Sequence, residues 1–107
     1  MKRPKDVIVR LDPACCEWFR NLPPGIIRKK VDAMLDTLQE KPDAGDHVQR
    51  SLWPKTGAYQ GINNLWRYEI DNEMRASYTL MKEGDSITVR VIEIFQNHKS
   101  YEMRFGY

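Results

Sequence analysis

The sequence has few side chains that seek metals or form covalent links: two cysteines and two histidines in 107 residues. Cys15 and Cys16 are adjacent, which disfavours a bridge between them, and no further cysteine exists for a disulfide framework or a zinc-type cluster. The expectation is two small residues on a helix, one of them buried. His47 and His98 are too few for a histidine-built metal site. Neither a metal nor any other cofactor is expected. There is no Gly-rich phosphate loop, no Ser-His-Asp arrangement, no internal repeat and no low-complexity segment. No apolar run approaches the ~20 residues that span a bilayer. The first residues are rich in Lys and Arg without the apolar stretch a secretory signal needs, so a cytoplasmic chain with no membrane association is expected.

The chain does have an ordinary apolar fraction, 41%, and a length that supports one modest core, so residues 1–107 are read as a single domain. Net charge is only +2, but it is unevenly spread. Residues 1–30 hold eight Lys/Arg against three Asp/Glu, and residues 31–48 hold one against five. A local basic block is compatible with a polyanionic partner and equally with a solvated surface.

The stretch from Leu65 to Tyr78 organises the rest. It reads as two short strands around a polar turn centred on Asn72, pairing Ile70 with Met74, Glu69 with Arg75, Tyr68 with Ala76 and Arg67 with Ser77. Period-two alternation puts Trp66, Tyr68, Ile70, Met74, Ala76 and Tyr78 on an apolar face. Arg67, Glu69, Arg75, Ser77 and Thr79 share the other.

Upstream, Asp6 to Leu11 is β-branched and reads as a first strand. Asp12-Pro13 supplies an N-cap and a first-turn proline for a short helix to about Leu22, with Cys15, Trp18, Phe19 and Leu22 as its stripe. A second helix, from about Pro24 to Glu40, carries Ile27, Val31, Met34, Leu35 and Leu38 at spacings of three and four, a cover for the apolar face of the hairpin. Its Arg28, Lys29 and Lys30 come early and its acids late, against its own dipole. Residues 41–47 read as a loop, Gln49 to Trp53 as a short edge segment, and Pro54 to Asn64 as a turn-rich connection containing Lys55. Ile87 to Phe95 reads as a central strand. Residues 97–107 form a tail with His98, Lys99, Tyr101, Arg104, Phe105 and Tyr107.

The order predicts an α+β domain, β-α-α-β-β-β, with two N-terminal helices on one face of a small, mostly antiparallel sheet and the opposite face open. On that open face Arg67, Arg75, His98, Lys99 and Tyr101 can converge. Phosphodiester chemistry needs cations over the developing phosphorane, groups that trade protons with attacking and leaving oxygens, and a flat ring for a splayed base. The plain alternative is a surface ion pair between Arg75 and Glu69, a turn histidine and a core tyrosine.

Leu11-Asp12-Pro13-Ala14 with Glu17-Trp18, the helix through Ile26 to Leu38, Asn64 to Ile70 with Met74 to Tyr78, and Val91 to Phe95 followed by His98-Lys99-Ser100-Tyr101 resemble, in the same order, the RelE/ParE toxin superfamily, in particular its RelE, YoeB and HigB-like members. The most specific pieces are the hairpin and the terminal His-Lys-x-Tyr. The resemblance implies the toxin of a type II toxin–antitoxin pair, a microbial-ribonuclease-type fold that cuts mRNA on the ribosome by metal-independent attack of the 2′-hydroxyl on the adjacent phosphate. Its partners would be a cognate antitoxin, the ribosome and mRNA. By motif position, Arg75 would steady the phosphate, His98 would act as general acid or base, and Tyr101 would stack on or orient the nucleotide. Arg67, Lys99, Glu69 and Lys55 would contact RNA. Glu69 stands where RelE-like members often carry a basic residue, which leaves three readings: a proton-transfer partner, a brake on the phosphate site, or a retained fold without cleavage. ParE-like relatives share the fold, act on DNA gyrase and lack the His/Tyr set. They represent the non-catalytic alternative.

Overall fold

A computed structural model describes residues 6–106. Its elements are β1 (Asp6–Leu11), α1 (Pro13–Arg20), α2 (Ile26–Glu40), β2 (Asp46–His47), β3 (Trp66–Glu69), β4 (Arg75–Glu83), β5 (Ser86–Phe95) and α3 (His98–Phe105), with 3-10 turns at Arg50–Leu52 and Gly57–Tyr59. The five strands form one sheet in the order β1-β5-β4-β3-β2. Only β1 runs parallel to its neighbour, β5. The α+β architecture is the expected one.

The hairpin register agrees with the alternation in the sequence: Trp66 pairs with Tyr78, Arg67 with Ser77, Tyr68 with Ala76 and Glu69 with Arg75. The turn is set by Asp71, whose Oδ1 accepts from the backbone N–H groups of Glu73 at 2.8 Å and Met74 at 2.6 Å, an Asx turn that replaces backbone pairing where the chain reverses.

The apolar face of the sheet carries Met74, Ala76, Tyr78, Val89 and Val91, covered by Cys15 of α1 and by Val31, Met34 and Leu38 of α2. Cys15 is the buried member of the cysteine pair, and burial, reinforced by Asp12, pushes its thiol up to about 12. Helix α2 starts at Ile26 rather than Pro24 and α1 ends at Arg20. Ile27 is 41% exposed, so it does not belong to the buried stripe. The early basic residues of α2 have local employment. Arg28 donates to the carbonyls of Leu22 at 2.9 Å and Phe19 at 3.4 Å and lies over the Phe19 ring, closing the end of α1. Lys30 reaches Asp71 at 2.6 Å and ties α2 to the hairpin turn.

The opposite face is covered, which corrects the expectation that it is open. Ser77 and Thr79 are buried, under a second cluster of Val48, Tyr59, Leu65, Ile92, Phe95, Tyr101 and Phe105. Two segments build that cover. Residues 48–64 contain no edge strand at Gln49 to Trp53, which forms a 3-10 turn, and the short edge strand is β2. The presumed tail is α3, in which Asn97 caps the first turn by accepting from the Ser100 N–H at 2.8 Å and Gly106, with φ 76°, ends the helix in the left-handed conformation. Tyr107 lies outside the described residues. A register shift at Ser77/Tyr78 leaves Ile92 unpaired, so Ile92 and Glu93 both serve the second face while Val91 and Ile94 serve the first.

The cover is fastened by polar groups. The buried Tyr59 hydroxyl lies 2.7 Å from Ser77 Oγ and donates to Glu93 Oε1 at 2.7 Å, and Glu93 in turn pairs with Arg104 of α3 at 3.1 Å. Burial raises the Tyr59 pKa, which keeps the hydroxyl protonated. At the outer edge Gly45 donates its N–H to the Tyr78 hydroxyl at 2.9 Å. A Cβ there would overlap the Arg67 carbonyl oxygen and that hydroxyl, so only glycine allows this approach.

Candidate active site

The residues picked out by sequence gather along the end of the second face nearest the hairpin turn. Arg75 opens β4 and is only 9% exposed. Its Nη1 donates to the carbonyls of Asp71 at 2.5 Å and Met74 at 3.1 Å, and its Nε lies 3.9 Å from Glu69 Oε1. The cross-strand pair required by the register is present. Much of the guanidinium is committed to the turn, so Arg75 acts as a clamp on the hairpin as well as a source of positive charge.

Two residues before Glu69 on the same face, Arg67 donates to the Asp46 carboxylate at 3.3 Å and lies beside the Tyr101 hydroxyl. Burial works against the Arg67 charge, but its neighbours Tyr101 and Asp46 outweigh it and raise its pKa. Tyr101 is 1% exposed, packed against Phe95 with centroids 5.5 Å apart and Phe105 at 4.5 Å. A ring so enclosed presents neither a face nor an edge to solvent, so the expected stacking of a base on Tyr101 is excluded in this arrangement.

His98 opens α3 because Asn97 caps the helix immediately before it. Its side chain is 48% exposed, and its ring lies against Tyr101 with centroids 6.3 Å apart and planes at 30°. Its Nδ1 is 2.5 Å from Glu102 Oε1, one helical turn on, and its backbone N–H donates to Glu73 Oε2 at 3.4 Å. Two sets of contacts therefore lie along this face, Arg75 with Glu69, and Arg67 with Tyr101 and His98.

Lys99 is exposed beside His98 on the first turn of α3. Lys55 is not brought into this group: it sits in the exposed connection between the two 3-10 turns, which is anchored through Ala58 to Arg90 and through Tyr59 to Ser77 and Glu93. Glu73, Glu102 and Asp46 were not singled out by the sequence reading. Glu102 could have been, since it follows His98 at the i,i+4 spacing that brings helical side chains together. Glu73 and Asp46 meet the site only through the fold. Among the described residues no three His, Cys, Asp or Glu side chains gather to hold a metal ion, and no helix is long and apolar enough to cross a membrane.

No protein-family model and no curated protein matches the chain. Solved structures do. A double mutant of the E. coli toxin RelE in the free state superposes with a TM-score of 0.56 at 14% identity, over 94% of this chain and 95% of that one. A YoeB/ParE toxin from Agrobacterium tumefaciens gives 0.56 at 17% identity, over 85% of this chain and 99% of its own. The chain therefore shares the fold of these two toxins.

Proposed function

We propose that the chain is the toxin of a toxin–antitoxin pair, acting in the cytoplasm as a metal-independent endoribonuclease on ribosome-bound mRNA. The observation that carries this reading is the contact of an exposed histidine, His98, with Tyr101 and, through it, Arg67, at the end of the face where Glu69 meets Arg75. In the reaction the 2′-oxygen forms a bond to the adjacent phosphorus and the bond from phosphorus to the 5′-oxygen breaks. The 2′-hydroxyl proton must leave and the 5′-oxygen must gain one. His98 is suited to one of these transfers. Arg67 and Arg75 supply fixed positive charge for the phosphorane, with the buried Tyr101 packed behind Arg67 and His98 to hold them in place. Lys99 and Lys55 are proposed to contact the RNA backbone, which attracts surface cations whatever its sequence. A cognate antitoxin would cover this face.

The experiment is expression without a neutralising partner, comparing wild type with His98→Ala, whose exposed side chain can be removed without emptying the core. Growth arrest with mRNA cleavage in wild type, both lost in the variant, is the expected result. Equal growth arrest by both proteins would overturn the nuclease reading.

One observation favours a second reading, a non-catalytic binding module of the same fold. Glu69, Glu73 and Glu102 all lie within this small group, and carboxylates repel the phosphate that a nuclease must hold. Such a module would arrest growth in both proteins, or in neither.

A further inference from the structure

Resting on the reading that His98 exchanges protons with the substrate, we infer that Glu102 is a positioning residue whose carboxylate fixes the His98 imidazole with its proton on Nδ1 and leaves Nε2 to meet the substrate. The two atoms concerned, His98 Nδ1 and Glu102 Oε1, are 2.5 Å apart, one helical turn from each other on α3. That turn is itself held in place. Asn97 accepts from both the backbone N–H and the hydroxyl of Ser100, at 2.8 and 2.9 Å, and Glu73 accepts from the His98 N–H.

The imidazole is thereby constrained on two sides. One face rests against Tyr101, a ring that cannot move because Phe95 and Phe105 enclose it. One nitrogen is tied to a carboxylate. In a neutral imidazole the nitrogen that donates to an acceptor carries the proton and the other carries the lone pair. A histidine with no such partner favours the opposite form, with the proton on Nε2. Without Glu102 the nitrogen available to an attacking 2′-hydroxyl would therefore more often be a donor than an acceptor. The charged groups around the ring are Glu102 on its own helix, Glu73 from the hairpin turn and Lys99 next in the chain. Among the described residues only Glu102 is in contact with a ring nitrogen.

The test is nitrogen-15 NMR of the imidazole side chains in the intact protein at about pH 8.5, where an ordinary histidine is neutral. With His47 the only other histidine, a His98→Asn spectrum assigns the signals. The expected result is the Nδ1–H form in wild type and in Glu102→Gln, whose amide oxygen can still accept, and a shift toward the Nε2–H form in Glu102→Ala. In the cleavage assay Glu102→Ala should lose on the order of tenfold, part of the ~10²–10⁴-fold that a positioned acid or base contributes, and Glu102→Gln should recover most of it. A wild-type histidine in the Nε2–H form, or a tautomer indifferent to Glu102→Ala, would overturn the inference. A wild type that shows the Nδ1–H form and cleaves no mRNA would sink the nuclease reading while upholding the orientation of His98 by Glu102.

Discussion

Asp12 occupies the N-cap position of α1 yet makes no side-chain bond to its own helix; both of its oxygens are taken by Arg90, Nε to Oδ1 at 2.6 Å and Nη2 to Oδ2 at 2.7 Å. This bidentate pair joins the start of α1 to strand β5, and Arg90 extends it to the Ala58 carbonyl at 3.0 Å, so three distant segments meet at one guanidinium. Removing one partner leaves the other partly buried and unpaired. Asp12→Ala should therefore destabilise by about 2–3 kcal/mol, far more than an ordinary capping loss of ~1 kcal/mol. Thermal melting checks it: a fall of roughly 10 °C or more is expected in a domain of this size.

Asp71 gives a pH signature. Its bond to Lys30, with those from the Met74 and Glu73 backbone N–H groups, lowers its pKa to about 2. A depressed folded-state value means that this contribution to stability is complete above the ordinary carboxylate range and is lost as pH falls through the folded value. The urea midpoint of wild type should exceed that of Asp71→Asn at neutral pH, and the gap should close between about pH 4 and pH 2.

Tyr59→Phe removes only a hydroxyl, but that hydroxyl joins Ser77 and Glu93 beneath the second-face cover. A loss of about 1–2 kcal/mol in urea unfolding is expected.

The register of the hairpin was legible from alternation alone, because Trp66, Tyr68, Ile70, Met74, Ala76 and Tyr78 leave only one pairing that keeps them together around a polar turn. The cover of the opposite face was not. Residues 48–65 bury Val48, Tyr59 and Leu65 singly, between irregular turns, and no periodicity records such burial. Helix α3 did leave a trace: Asn97 and Ser100 at capping distance, Tyr101 and Phe105 one turn apart, and Gly106 at the end. Eight residues with two apolar anchors are too short to stand out against a tail. Of the two readings the sequence left for Tyr101, a site residue and a core tyrosine, its burial agrees with the second.

Truncation after Met103 follows from that burial. Phe105 is in the second cluster and Arg104 holds Glu93, so deleting residues 104–107 should cost about 3 kcal/mol or more, the scale of a phenylalanine removed from a core. A truncated chain with an unchanged melting temperature would show instead that the tail serves only a partner.

Glu69→Lys tests the carboxylate that faces Arg75 across the hairpin. The 3.9 Å pair with Arg75 is exposed on the glutamate side, so its displacement by RNA costs less than ~1 kcal/mol and the variant should bind RNA up to about fivefold more tightly, with cleavage retained. Binding assays beside cleavage assays decide the role: loss of cleavage with intact binding would make Glu69 a proton carrier rather than a brake.

The parallel pairing of β1 with β5, which sets Asp6 beside Ser86, fixes when this chain can become itself. During synthesis β1, α1 and α2 emerge first, and Val7, Val9 and Leu11 have no neighbouring strand until the final strand is made. Closure of the sheet waits on a contact between opposite ends of the sequence, the slow class of folding step. While it is being translated the nascent chain is therefore an unassembled set of amphipathic pieces, and Tyr101 of α3 can come to lie beside Arg67 only after the ribosome has finished with β4 and β5.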